Sequence, residues 1–591
     1  MRYLVSLGFS VLAGAGMAQQ AADGVQPEAA VVGAFEGLPA GFAQAQAAKD
    51  AGQPVAAQNW MVAAANPHAV KAGADVLAAG GTAADALVAV QVVLGLVEPQ
   101  SSGLGGGGFL VWYDAASGAL TTLDGRETAP LAATPQLFQD AEGAPLKFFD
   151  AVVGGRSVGT PGTPALLAEA HARWGTQDWA SLLQPGIDLA EDGFVVSPRL
   201  AGLVARDQER LISSGVTASY FLPEGEVLQA GNLLKNPAYA ATLRAFAADG
   251  AGAFYGGQIG KDIVATVRGA SNPGLLSELD LAVYQVKERP AVCAPYRDHE
   301  VCGMGPPSSG AVAVGQILGA LQGFDLSAGP LDANVRRLMG DASRLAFADR
   351  GRYLADSDYV PVPVAGLLDQ AYMANRAAPL AVDKALTEVA PGTPAFDHSL
   401  NWADDDSLEL PSTTHVSIVD AQGNVASMTA SIENAFGSRQ MVGGFLLNNE
   451  LTDFSFRSHR DGVPIANRVE PGKRPRSSRA PTIVMKDGAP VIAVGSPGGS
   501  RIISYVAQTV VAMIDWEMDA QQAVSVPHAV NRFGTYDLEE GTPATDLETP
   551  LTEMGFEVAT RPLTSGIHVI AIADALQGGA DPRREGIAYG E

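Results

Sequence analysis

The chain has 591 residues, 47% of them apolar, and a formal net charge of −26 from 38 basic and 64 acidic side chains. Length and apolar content allow a large buried core. The acidic balance argues against nucleic acid as a partner, because binding phosphates needs a basic surface. With two cysteines and no His-Glu-x-x-His spacing, the sequence calls for no metal and no cofactor.

Residues 1–18 read as a secretory signal peptide. Arg2 gives a short positive start, Tyr3 to Ala15 is mostly apolar, and Gly16-Met17-Ala18 is a small-x-small cleavage site before Gln19. The expected mature protein is periplasmic or secreted. No later stretch reaches the ~18 unbroken apolar residues of a membrane helix, so no membrane partner is expected after signal removal. Residues 19–55 are rich in Ala, Gln and Gly without periodicity, which predicts a flexible leader. The stretch 82–96 predicts an apolar helix, capped by Thr82 and ended before Pro99. Gly103 to Gly108 then leads into a strand at 109–113. Phe109, rather than Lys-Ser or Lys-Thr, follows these glycines, so they predict close backbone packing and not a phosphate loop.

A helix is predicted at 164–173. Further on, a two-residue turn at Arg297-Asp298 pairs 296 with 299 and, counting outward, Cys293 with Cys302. That pair falls on a non-hydrogen-bonded position, where Cα atoms approach to about 4.5 Å. A structural disulfide is expected; the alternative is two buried thiols. Helices follow at 311–321 and 334–348. The stretch 391–411 carries Pro, Gly and the acidic run Asp404-Asp405-Asp406, which predicts an exposed, flexible segment. After it the pattern becomes strand-rich, with strands at 413–420, 425–432, 481–486 and 490–495. A helix is predicted from about 500 to 515, following Gly498-Gly499.

The first two of those strands form a hairpin that begins on a threonine. Apolar and polar residues alternate along both arms, and Gln422-Gly423-Asn424 supplies the turn. Thr413, Thr414, Ser417, Ser427, Thr429 and Ser431 crowd it with hydroxyls. A threonine hydroxyl needs an adjacent base to act as a nucleophile. Cutting the chain between Ser412 and Thr413 would supply one, because a free α-amine titrates near ~8. The hairpin therefore suggests a self-cleaving amidohydrolase with Thr413 as nucleophile, Thr414 being the in-register rival. The plain alternative is a Thr-rich edge hairpin.

Thr413-Thr414-His415-x-Ser417, Asp420, Gly423-Asn424, Thr429-x-Ser431-Ile432-Glu433 and Phe436-Gly437 together resemble the signature of the γ-glutamyltransferase family. Further blocks agree in the family's order: Ser102 to Phe109, Arg126-Glu127-Thr128-Ala129-Pro130, Pro306-Pro307-Ser308-Ser309-Gly310, Leu447-Asn448-Asn449-Glu450 to Asp453-Phe454, Lys473 to Ser478, and Gly495 to Gly499. The likeness runs from about Ala56 to the end. Two positions depart from the pattern. Ala426 stands where valine is usual, and Ser431 where a second threonine is usual. Serine keeps the hydroxyl but loses the methyl that fixes its rotamer.

The resemblance implies an α+β fold, the αββα sandwich of N-terminal-nucleophile hydrolases. It also implies one intertwined body from two parts, a large subunit (56–412) and a small catalytic subunit (413–591). Thr413 would attack a donor amide, with Ser431 bonding its hydroxyl or amine and the amides of Gly498 and Gly499 holding the oxyanion. A γ-glutamyl group carries a carboxylate, matched to Arg126, Ser477 and Ser478, and an ammonium, matched to Asp453, Glu433 and Glu450. Taken singly, such charged residues are more often plain surface residues, and a bare Gly-Gly is more often a turn. The implied donors are glutathione or glutamine, with water, an amino acid or a peptide as acceptor. The runner-up is a glutaryl-type cephalosporin acylase of the same architecture, whose substrate has no ammonium. An uncut, non-catalytic periplasmic binding protein is the alternative from another class.

Overall fold

The computed structural model describes residues 38–398, 400–405, 407, 409–410 and 412–591. The signal-peptide reading and the leader up to residue 37 lie outside them. Two seven-stranded antiparallel sheets stack face to face. The first runs Ile587–Gly590, Met61–Ala64, Thr414–Val419, Val425–Ser431, Gly107–Asp114, Ala119–Gly125, Lys287–Arg289. The second runs Val55–Ala57, Leu576–Ala580, His568–Ile572, Ala489–Gly495, Thr482–Lys486, His299–Gly303, Val292–Tyr296. Each sheet mixes strands from either side of residue 412, so neither side contains a complete sheet.

Period-two alternation sorts the side chains. On Thr414–Val419, Val416 and Ile418 join the outer core under the helices, while Val419 joins the layer between the sheets with Met61, Val111, Ile483 and Ile570. His415 enters that middle layer where Gly495 passes. A Cβ on Gly495 would come within 2.3 Å of the His415 ring, so the close approach requires glycine. The helices Pro67–Ala78 and Ala83–Val97 cover the first sheet, and Gly310–Leu321, Ala333–Tyr353 and Ile502–Ile514 cover the second. The result is an αββα sandwich.

The apolar helix is Ala83–Val97, with a capping box between Thr82 and Asp85. The turn of the threonine hairpin is tied to that helix start: Asp420 Oδ2 accepts from the Ala83 N–H at 2.9 Å and from Asn424 Nδ2 at 2.9 Å. The cysteines face each other in the hairpin Val292–Tyr296 and His299–Gly303, bonded as a disulfide with Cα atoms 4.0 Å apart.

Two expectations need correction. The leader is not mobile from residue 40 onward: Ala40–Asp50 is a helix and Val55–Ala57 is a sheet strand. Phe42 stacks on Tyr589 at 4.3 Å, and the buried Lys49 donates to Gly586 O at 2.7 Å. Long-range contacts hold a segment whose own pattern is too weak to announce a helix. Nor is 391–411 simply exposed. Trp402, Asp405, Glu409 and Leu410 are buried, and Asp405 pairs with Arg476 at 2.8 Å.

Candidate active site

The hairpin register sets Thr414 opposite Ala430, so Thr413 and Ser431 meet at the end of the two strands. The strand end is buried, with Thr413 and Ser431 both under 4% exposed. The Ser431 hydroxyl donates to the Ser412 carbonyl at 2.6 Å and accepts from the Glu433 N–H at 2.8 Å. The Thr413 hydroxyl donates to the same carbonyl and lies 3.3 Å from Ser431 Oγ. A carbonyl with two hydroxyls on its oxygen is polarised toward attack, and the oxygen that would attack belongs to the next residue. Arg584 Nη1 holds the Thr413 carbonyl at 3.0 Å, and Ser412 Oγ donates to Gln100 O at 2.6 Å.

The glycine block packs against this point. A Cβ on Gly106 would meet Ser431 O at 2.1 Å, and one on Gly105 would meet Leu446 O at 2.1 Å. Asn448 Nδ2 ties this loop to the one before the helix Thr163–Trp174, donating to Gly105 O at 2.7 Å and Gly159 O at 2.9 Å. Gly498 and Gly499 both adopt positive φ (141° and 57°) just before the turn Gly499–Arg501 and the helix Ile502–Ile514. The next amide, Ser500 N–H, donates to Glu409 O at 3.2 Å. The turn therefore lies against the segment that leads to Thr413.

Beside the hydroxyls is a buried ionic cluster. Arg126, at the end of strand Ala119–Gly125, pairs with Glu450 and with Asp453 (2.5 Å) from the turn Glu450–Asp453. Its remaining donors reach Pro475 O at 3.1 Å and Arg476 O at 3.0 Å. Arg479 contacts Glu450 at 2.6 Å. Glu433 accepts from the Leu410 N–H at 3.0 Å and from Asn449 Nδ2. Burial, then nearby Glu450, pushes the Glu433 carboxyl upward. Burial and then Glu409 do the same to Asp453. Burial lowers the Arg126 pKa, but Glu450 and Asp453 outweigh it and hold the guanidinium above its usual range. Buried acids with raised pKa values mark a candidate functional site.

Ser477 and Ser478 face a different set of partners. Ser477 N–H donates to Pro307 O at 3.0 Å, and the Ser309 hydroxyl donates to Ser477 O at 2.7 Å. Ser478 N–H donates to Glu409 Oε2 at 2.5 Å, and Arg350 Nη2 donates to Ser478 Oγ at 2.8 Å. Beside Thr413, the residues Ser431, Glu433, Ser478 and Gly499 each meet residue 409, 410 or 412, and Asp453, near the Glu409 charge, links Arg126 to them. Sequence reasoning missed Arg350, Arg479, Arg584 and Asn449 as members of this neighbourhood. Asn449 stood in a quoted block; the arginines carry no local signal. A cavity of about 680 Å³ lined by Ala294, Gly315, Phe324 and Met373 contains none of these residues.

Among the described residues, no helix is long and apolar enough to cross a membrane. The family model for gamma-glutamyltranspeptidase matches residues 69–591. A glutathione hydrolase proenzyme of Bacillus subtilis (strain 168) is 38% identical over 548 residues, covering 90% of this chain and 92% of the relative. The acylase ACY 1 proenzyme of Pseudomonas sp. (strain SE83) is 36% identical, covering 87% of this chain and 90% of the relative. Among solved structures, a cephalosporin acylase from Bacillus halodurans superposes with a TM-score of 0.80 at 26% identity, covering 91% of this chain and 97% of that one. A sandwich fold with a threonine at the head of its central hairpin, matched across most of the chain by one family, places the protein: it is an enzyme and belongs to the gamma-glutamyltranspeptidase family.

Proposed function

We propose that the exported precursor cuts itself between Ser412 and Thr413 and then acts as a γ-glutamyltransferase and glutathione hydrolase. The observation that carries this is the Ser412 carbonyl, which accepts both the Ser431 and the Thr413 hydroxyls. Thr413 Oγ1 attacks the Ser412 carbonyl carbon, its hydroxyl proton passes to the Thr413 nitrogen as the C–N bond breaks, and an ester joins the two parts. Water hydrolyses the ester, leaving a Ser412 carboxylate and a free Thr413 amine. The parts 56–412 and 413–591 stay together, because each sheet needs strands from both.

In the second reaction the amine takes the proton from Thr413 Oγ1 as that oxygen attacks the donor's γ-carbonyl. The leaving amine departs with a proton, and water or an amino acid or peptide then resolves the acyl-enzyme. The Gly498-Gly499 turn supplies backbone N–H groups for the oxyanion. Arg126, Ser477 and Ser478 hold the donor's carboxylate side, and Glu433, Glu450 and Asp453 its ammonium side. Glutathione and glutamine are donors of this form, and the likeness to the Bacillus subtilis glutathione hydrolase proenzyme supports the first.

A glutaryl acylase activity is the second reading, favoured by the acylase and cephalosporin acylase names among the relatives. The buried acid cluster favours an ammonium and so the first. N-terminal sequencing of the smaller fragment, with turnover of a γ-glutamyl anilide, tests the proposal. A fragment starting at Thr413 and hydrolysis of the anilide are expected. An active single chain, or a fragment starting elsewhere, would refute it.

A further inference from the structure

Resting on the proposed cleavage before Thr413, we infer that Arg584 is a positioning residue of the mature site. It fixes the Thr413 carbonyl, and its charge keeps the freed α-amine in the neutral form that acts as base. Lys49, on the helix Ala40–Asp50, holds the arginine in place. Arg584 is 2% exposed, and its Nη1 donates to Thr413 O at 3.0 Å. That oxygen and the Thr413 nitrogen belong to one residue and are at most about 3.6 Å apart, so Nη1 lies within about 7 Å of the future amine. At that range, in a buried site, a fixed cation disfavours a second positive charge on the amine. Attack needs the neutral amine, because only that form can take the proton from Thr413 Oγ1.

The loop that carries Arg584 is pinned on both sides. Before it, Arg583 forks onto Glu539. After it, Glu585 Oε2 accepts from Asn66 Nδ2 at 3.2 Å, and Gly586 O accepts from Lys49 Nζ at 2.7 Å. Lys49 Nζ also donates to the carbonyl of Arg584 itself. Lys49 is buried near the end of its helix, which Phe42 fastens to Tyr589. A Cβ on Gly566 would come within 2.8 Å of Arg584 Cδ, so glycine there makes room for the arginine's stem. The chain's N-terminal helix and the loop before its last strand thus close on the residue that holds the nucleophile.

The other titratable groups around Thr413 sort by sign. His415 and His568, on the strands Thr414–Val419 and His568–Ile572, are both held neutral by burial. At His568 the fields of Lys49 and Arg584 come next and push it down to about 3, so these two cations already act on one base in this region. Glu433, at the end of the hairpin's second arm, and Asp453, in the turn Glu450–Asp453, are pushed upward, by burial first, which weakens their opposing pull. Glu450 pairs with Arg126 and Arg479, and Glu409 with Arg350. Burial and then Glu98, buried at the end of the helix Ala83–Val97, push Glu585 up to about 7. Arg584 is the charged group bonded to Thr413 itself.

The test is the pH profile of kcat/KM for a γ-glutamyl anilide in processed enzyme, whose acid limb reports the base. Arg584→Gln keeps a donor for Thr413 O and removes the charge. Its acid limb is expected to move to higher pH by about one unit, so that activity lost near neutrality returns as the pH rises. Arg584→Lys should bring the limb back toward the wild-type position. A lower kcat/KM with the limb unmoved, or no change at all, overturns the inference, because a merely structural arginine would lower the rate alike at every pH. Lys49→Met, remote from the scissile bond, should move the limb the same way by about half a unit. An unmoved limb there overturns the role of Lys49, and overturns the whole inference if the Gln variant stays uncut. A wild type that is active as a single uncut chain overturns the reading of Thr413 on which this rests. A cut, active wild type whose variants leave the limb in place overturns this inference alone.

Discussion

The cluster around Arg126 and the cluster around Arg583 are built from the same parts: buried arginines, carboxylates and hydroxyls. They differ in how completely the parts bond to one another. Around Arg583, Asp581 accepts from the Ile567 N–H at 3.0 Å and the Arg583 N–H at 2.9 Å, as well as from Ser565 and Arg583 side chains. Glu539 takes a fork from Arg583 and the His528 N–H at 2.7 Å. His528 spends both ring nitrogens, on Ser565 (2.6 Å) and Gln508 (3.2 Å). Around Arg126, both Glu127 oxygens and Asp453 Oδ1 are buried without a hydrogen-bond partner among the described residues. The Arg583 cluster holds a serine, a histidine and an aspartate, yet its serine donates to the aspartate and cannot serve the histidine. Saturated polar networks fix a fold, while buried acceptors without hydrogen bonds, here with Arg126 and Arg479 only at ion-pair distance from Glu127 (3.7 and 3.6 Å), leave capacity that a ligand could use.

The largest effect expected is at the hydroxyl end of the open cluster. Thr413→Ala removes the attacking oxygen from both reactions, so a denaturing gel should show one band where the wild type shows two, with no turnover. Two bands from the mutant would move the nucleophile to Thr414. Next is Asp453→Asn, which keeps the shape but removes a charge from the open side. Its kcat/KM for a γ-glutamyl anilide should fall about 100-fold, and that for a glutaryl anilide far less, because only the first donor brings an ammonium. Equal losses would remove Asp453 from ammonium recognition and favour the acylase reading.

The saturated cluster should respond in stability alone. Asp581→Asn turns one acceptor into a donor, facing either Ser565 and the Ile567 N–H, which share Oδ2, or the Arg583 N–H and Nη1, which share Oδ1, and leaves at least one buried donor unbonded at about 2 kcal/mol. Arg583 keeps Glu539 as its partner, so the fold should survive. Denaturant melts should shift to lower midpoint, while kcat per folded molecule stays at the wild-type value. A fall in kcat with unchanged stability would make this cluster part of the site after all.

The sequence carried the hairpin, the capped helix at 83–97, the cysteine register and the glycine block, because each is a local pattern of period, cap or turn. It did not carry the helix Ala40–Asp50. That segment has a single large apolar residue, Phe42, whose partner Tyr589 lies at the far end of the chain. Burial of Asp405 and Glu409 was equally hidden. Three consecutive acids look solvated unless Arg352 and Arg476, distant in sequence, are known to pair with Asp404 and Asp405. Arg350 sits on a helix of mixed charge whose other arginines have structural duties: Arg336 bonds Gln508 and Arg344 bonds Asp341. Nothing local distinguishes the one that meets Ser478.

The smallest effect expected is that of placing threonine, the family's residue, at position 431. The missing methyl normally restricts a hydroxyl to fewer rotamers, so serine should aim less reliably. Here two hydrogen bonds already aim it: it donates to Ser412 O at 2.6 Å and accepts from the Glu433 N–H at 2.8 Å. Each such bond is worth about 1 kcal/mol, comparable to the rotamer freedom a serine gives up, so a methyl has little left to fix. Ser431→Thr should therefore change the rate at which the second gel band appears by no more than about threefold, around 0.6 kcal/mol. Ser431→Ala, which strips the carbonyl of one donor, should slow it by about 100-fold. A tenfold acceleration with threonine would mean that the two bonds leave the hydroxyl free to turn, and that the serine is a brake on cleavage.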